Sequence, residues 1–239
     1  MDGFSYFNIF ATKGTEYLII IAFLALLIPF WIILSKKPGK SKKSYGVFSL
    51  ENASVPLGLF YSRNHTWMYM EKSGAAKVGL DDLLIHITGN VKPGKLRNPG
   101  ENIRKGELLT EVYQNSKSLR ILSPVTGKII RVNTEINDHP GIMAKEPYDN
   151  GWIYEIKPSK WIAEADDCYF EEGATYWMKT ELERFKDFLG TEMKNYFTQE
   201  VPQVVMQDGG ALCDHVLEAM SNEIWKDFEK EFLNLNPYL

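Results

Sequence analysis

The amino-acid sequence predicts a mainly β protein, with one membrane helix ahead of the β unit and an α-helical extension behind it. Three features predict this: an uncharged apolar run near the N-terminus, a central stretch of short β-rich runs punctuated by Gly, Pro and Asn, and a closing stretch whose apolar residues recur every three or four positions. The chain divides accordingly into a short N-terminal stretch (1–16), a transmembrane helix (17–35), a basic linker (36–57), a β unit (58–162) and an acidic helical tail (163–239). With 44% hydrophobic and 24% charged residues the 239-residue chain has a globular composition, and no segment is biased enough for long disorder.

The apolar run Tyr17–Ser35 reads YLIIIAFLALLIPFWIILS and carries no charge. At 1.5 Å rise per residue it covers roughly 28 Å, enough for the hydrocarbon core of a bilayer. The run is too long for the apolar part of a cleavable signal, and no small-x-small site follows it. Lys36, Lys37, Lys40, Lys42 and Lys43 follow at once. Basic residues stay on the cytoplasmic side, so a single-pass protein of the inner (cytoplasmic) membrane is expected, with its N-terminus outside and its main domain facing the cytoplasm. Cys168 and Cys213, far apart and in no metal-ligand spacing, agree with a reducing compartment.

Within 58–162 the runs WMYME, AAKVGL, GELLTEVYQ, RILSP, GKIIRVN and GWIYEIK lie 8–15 residues apart and read as a compact sandwich or barrel. One short helix is expected over 82–89, with Leu83, Leu84 and Ile87 at helical spacing and Asp81 as its cap. Beyond 163, Leu182, Phe185, Leu189, Met193 and Tyr196–Phe197 mark a helix of roughly 25 residues that Pro202 stops. Gly209 and Gly210 should open a second helical stretch with Leu212, Val216, Leu217 and Met220 on one face. Ser221 can cap a last helix carrying Ile224, Trp225, Phe228, Phe232 and Leu233. The tail holds 17 acidic and 6 basic residues, a net of −11, against 15 basic and 11 acidic, a net of +4, in the β unit. Opposite signs allow the two to dock on each other or to face different partners. The tail aromatics Tyr176, Trp177, Phe185, Phe188, Trp225, Phe228 and Phe232 either form a docking surface or pack the tail onto the β unit.

Tyr61–Trp67, YSRNHTW, resembles the Tyr-x-x-x-His-x-Trp opening of the glycine-cleavage H-protein family, which carries lipoate on a lysine. Four more segments match that family in order: VGLDDLLIHITGNV (78–91), NPGENIRKGELL (98–109), ILSPVTGKIIRVN (121–133) and EPYDNGWIYEIKPSKW (146–161). The resemblance implies a lipoyl-like, flattened β-sandwich of two antiparallel sheets, with Trp67, Tyr148, Trp152 and Trp161 contributing to its core. It also implies that the carrier lysine falls on the hairpin between Gly106 and Ser123–Pro124. Without a gap that position is Ser116, the family's glutamate three residues earlier is Tyr113, and Lys117 follows by one.

Serine has no amine to form the lipoyl amide, and a one-residue step on a strand turns the side chain to the other face. The expectation is therefore a non-catalytic subunit without a cofactor, which meets other protein subunits of a membrane complex and the lipid bilayer through 17–35. The alternative is a lipoyl-type carrier with the arm on Lys117, where a bulge absorbs one residue. The hairpin Gln114–Ser123 leaves no room for the coiled coil that a membrane-fusion adaptor inserts there.

No Ser-His-Asp, HExxH, GxGxxG or P-loop pattern appears, so catalysis and a small-molecule substrate lack support. His65, His86, His139 and His215 are scattered, and no metal site is expected. Nucleic-acid binding is disfavoured, because the lysine cluster adjoins the apolar run and carries no interleaved aromatics.

Overall fold

The structure, a computed structural model, describes residues 10–35, 47–48, 53–196, 206–207 and 211–233, with side chains over 17–31, 53–195 and 212–233. The chain forms two compact units, 1–44 and 45–239. The first contains α1 (Phe10–Ser35), which takes in the whole predicted apolar run and has Pro29 inside it. Every described side chain of α1 is exposed. Among the described residues no helix is long and apolar enough to cross a membrane.

The second unit begins with β1 (Val47–Phe48), β2 (Phe60–Tyr61), β3 (Thr66–Met70), β4 (Ala76–Leu80), α2 (Asp82–Thr88), β5 (Lys92–Pro93), β6 (Asn102–Ile103), β7 (Leu108–Gln114), β8 (Lys117–Leu122) and β9 (Gly127–Val132). It continues with α3 (Glu135–Asp138), α4 (Ile142–Lys145), β10 (Tyr154–Pro158), α5 (Trp161–Ala165), β11 (Tyr169–Phe170), α6 (Glu171–Tyr196), β12 (Met206–Gln207), β13 (Ala211–Cys213) and α7 (Asn222–Phe228).

A seven-stranded sheet, in the order β11-β2-β3-β4-β10-β9-β6, and a three-stranded sheet, β5-β7-β8, form an antiparallel sandwich. Burial alternates as a sandwich requires: Leu119 and Ile121 of β8 are buried while Ser118 and Arg120 are exposed. Trp67 is fully buried; Tyr148, Trp152 and Trp161 are partly buried against the same core. The short helix forms as expected, because the Asp81 carboxylate accepts the Leu84 N–H at 2.8 Å.

The tail is continuous with this sandwich, since β11 pairs with β2, Tyr169 opposite Tyr61. α6 buries Ala174, Trp177, Met178, Glu181, Leu182, Phe185, Phe188 and Leu189, a stripe at helical spacing. Phe185, Phe188, Phe228 and Phe232 pack in stacked and edge-to-face pairs, with Phe228 and Phe232 centroids 4.8 Å apart. Six of the seven tail aromatics are therefore buried. Tyr176 alone of them stays largely exposed, at 75%.

Two expectations need correction. The stretch around Leu212 is not helical: Ala211–Cys213 is strand β13, lying between β12 and β1 in a third small sheet. The linker expected over 36–57 is likewise not without structure: Val47–Phe48 is strand β1, whose ladder hydrogen bonds with β13 hold both segments extended. Only Val216–Ala219 winds on, as one 3-10 turn. The last helix is capped by Ser221 as predicted and continues through a π-helical turn, Glu229–Leu233. Pro202, Gly209 and Gly210 lie outside the described residues.

Candidate functional site: the β7–β8 hairpin

β7 and β8 are joined by two residues, Asn115 and Ser116, with Gln114 opposite Lys117 and Tyr113 opposite Ser118. Such a tight turn needs a positive φ, and Asn115 supplies it at 55°. Ser116 is exposed at the tip. The Tyr113 ring covers Gly94, and its hydroxyl donates to the Glu111 carboxylate, which raises the phenol pKa.

Lys117 does not project from this tip. Its Nζ donates to the carbonyl oxygen of Glu218 at 2.8 Å and lies 3.4 Å from that of Leu217. The ammonium sits 5.4 Å from the Trp225 ring centroid, and Trp225 Nε1 donates to the same Leu217 oxygen at 2.7 Å. Burial pulls the amine pKa down, and the Glu218 charge partly restores it. Three residues further along β8, the Arg120 N–H donates to Glu229 Oε2 at 3.2 Å. β8 is an edge strand, and this carboxylate satisfies one of its outward donors.

The C-terminal segment that covers the hairpin is itself held on α2. His86 Nδ1 lies 2.7 Å from Asp214 Oδ1 and Nε2 lies 3.5 Å from Asp82 Oδ1, while the His215 N–H donates to the His86 carbonyl at 2.6 Å. Burial opposes a charge on His86, but the two carboxylates outweigh it and raise its pKa to about 9. In the sequence His86 and His215 are scattered residues with no sign of a shared site. The structure brings them together, with His215 in left-handed conformation at φ 59° ahead of the 3-10 turn.

His65 occupies a second polar centre, fully buried at φ 56°. Its Nδ1 lies 2.9 Å from Asp81 Oδ2, and Nε2 is 3.4 Å from Glu181 Oε1 without an aligned hydrogen bond. Arg184 Nη1 reaches the same Glu181 oxygen at 2.8 Å. Burial works against protonation here too, yet Asp81 and then Glu181 prevail and raise the pKa to about 9. The imidazole rests near Trp177 and Phe232, with centroids at 5.4 and 6.4 Å, so it joins sandwich to tail. His139 caps the end of α3 away from both centres. Cys168 is half-buried with its thiol pushed up to about 11, and Cys213 is buried. Among the described residues no group of three or more His, Cys, Asp or Glu is placed to hold a metal ion.

What sequence reasoning missed is the tail's share of this site: the Leu217 and Glu218 carbonyls, Trp225 and Glu229. Carbonyl groups carry no sequence signal, and Trp225 stood only among the tail aromatics that either dock a partner or pack onto the β unit, with no signal that placed it beside Lys117.

Residues 59–181 match the family described as Glycine cleavage H-protein. The glycine cleavage system H protein of Hydrogenovibrio crunogenus is 33% identical over 113 residues, which are 47% of this chain and 87% of that relative. A probable glycine cleavage system H protein of Pyrococcus abyssi is 33% identical over 105 residues, 44% of this chain and 78% of the relative. Among solved structures, a glycine cleavage system H protein from Mycobacterium marinum matches at 27% identity and a TM-score of 0.41, covering 44% of this chain and 87% of that one.

Proposed function

This chain belongs to the glycine cleavage H-protein family, and from that premise we propose that it is a non-catalytic, membrane-anchored subunit that docks with or scaffolds a membrane-associated protein complex without carrying a lipoyl arm. The observation that carries this reading is Lys117. Its amine, the one next to the hairpin tip, is half-buried and donates to two tail carbonyls beside Trp225. A lipoyl amide there would first require the amine to leave those acceptors, and the tip residue itself, Ser116, offers only a hydroxyl. As they stand, these residues do not fit the arm.

Anchoring rests on the uncharged run inside α1, its exposed side chains and the five lysines that follow it. On this reading the protein is single-pass in the inner membrane, with its N-terminus outside and unit 45–239 in the cytoplasm. Of the seven aromatics singled out in the tail, six are buried, and Tyr176, 75% exposed, is the one left for a partner subunit.

The second reading, a lipoyl-type carrier with its arm on Lys117, draws on family membership and on the position of Lys117 beside the tip. Mass spectrometry of the chain purified from its native membranes separates the two. The scaffold reading expects an unmodified 113–119 peptide and stoichiometric co-purifying subunits. A lipoyl group on Lys117 overturns it in favour of the carrier, and recovery of the chain without detergent overturns the anchor.

A further inference from the structure

Residues 211–233 close over the hairpin at two places, where the 3-10 turn takes the Lys117 amine and Glu229 takes the Arg120 N–H, and at a third Asp214–His215 grip α2. The strand that leads into this cover, β13, has β12 on one side and β1 on the other. β1 is the first described strand after α1, separated from it by residues 36–46 alone. The chain after β1 is fastened to α2 as well: the Ser54 N–H donates to Asp82 Oδ2 at 2.7 Å, and the Tyr148 hydroxyl donates to the Ser54 carbonyl at 2.8 Å. Asp82 in turn faces His86, which holds Asp214. A continuous polar relay, Ser54–Asp82–His86–Asp214, therefore runs beside the β1–β13 ladder and ties the same two segments.

We propose that β1 and this relay form a latch that holds the C-terminal segment over the hairpin, so that the seating of the N-terminal linker sets whether Lys117 and the edge of β8 are open. The proposal rests on the covered-hairpin reading above and adds what controls the cover. Each fastening is small. A two-residue ladder has little stability alone, and a half-exposed charged hydrogen bond contributes modestly. Local opening of such a segment needs far less than global unfolding. When the latch parts, β8 presents an unpaired edge and an amine released from its carbonyl acceptors, which is the surface a partner strand needs.

Amine footprinting of the full-length chain in detergent, read as the acetylation rate of Lys117 relative to exposed Lys128, tests this. Wild type should label Lys117 slowly. The double variant Val47→Pro/Phe48→Pro, which removes both β1 amide donors, should raise the ratio on the order of tenfold while Lys77, paired with Glu71 on the far sheet, keeps its rate. A wild-type ratio near one sinks the covered-hairpin reading itself. A low ratio that the double variant leaves unchanged sinks the latch and spares the cover. If the double variant also accelerates Lys77 and so disturbs the whole fold, His86→Gln decides: it cuts the relay without touching β1, and an unchanged ratio overturns the proposal.

Discussion

His65 and Asp81 meet twice: Nδ1 of the buried imidazole lies 2.9 Å from Asp81 Oδ2, and the Asp81 N–H donates to the His65 carbonyl at 3.1 Å. The same carboxylate caps α2 through the Leu84 N–H, so one acid orients the histidine, closes the β3–β4 corner and starts the helix. With Glu181 on the far side of the ring, the imidazolium lies between sandwich and tail.

Stability should therefore depend on pH in the alkaline range. The His65 pKa rises on folding from 6.5 to about 9. Its contribution is then fully present below pH 6.5 and is lost as pH rises through about 9. Urea midpoints should fall between pH 7 and 10, and His65→Gln should flatten that slope beyond the part due to His86. An unchanged slope would mean that the ring is neutral when folded.

Trp225 is fully buried beside Lys117 and belongs to the segment that covers the hairpin. Trp225→Ala should lower unfolding free energy by about 3–5 kcal/mol, the range for truncating a large buried aromatic. Chemical denaturation of the full chain in detergent measures it. A loss within about 0.5 kcal/mol, as for surface sites, would mean the C-terminal segment is not seated on the sandwich.

Two glycines should respond with opposite signs. A Cβ on Gly127 would press against the Lys157 carbonyl and sit 2.8 Å from Ile156 Cγ2, inside the β9–β10 pair, so Gly127→Ala should destabilise by ~1–3 kcal/mol. Gly190 lies within α6 with nothing inside 4 Å of its would-be Cβ. Gly190→Ala should stabilise by ~0.5–1 kcal/mol through helix propensity. Thermal melts of the two variants against wild type decide both signs.

Asn115 holds φ 55° at the hairpin turn, a conformation that a β-branched residue adopts only with strain. Asn115→Val should lower stability by about 1–2 kcal/mol, whereas Asn115→Gly should stay within about 0.5 kcal/mol of wild type. Equal losses in both variants would point to the Asn side chain rather than the backbone.

Much of the fold was legible before any coordinates. The short β-rich runs between Gly, Pro and Asn became β3, β4, β7, β8, β9 and β10; Asp81 and Ser221 capped the helices assigned to them; the apolar steps from Leu182 to Leu189 became the buried face of α6. The failures fall where strands are two or three residues long. Val47–Phe48 and Ala211–Cys213 are too short to show a period, and each is extended because the other pairs with it. The hairpin was legible through the family resemblance, which put Ser116 at its carrier position, but neither the turn conformation of Asn115 nor the cover was.

The sequence by itself determined the compact β unit, the long amphipathic helix of the tail and the apolar N-terminal run, because periodicity, caps and turn chemistry act over neighbouring residues, while the place of Ser116 came from the family resemblance. Tertiary structure alone decided that the tail aromatics face inward and that His65 bridges sandwich and tail. It alone placed the Lys117 ammonium on carbonyls a hundred residues away. Those outcomes depend on which backbone acceptors and apolar surfaces meet once the chain has folded, and such meetings between distant segments leave no local pattern to read.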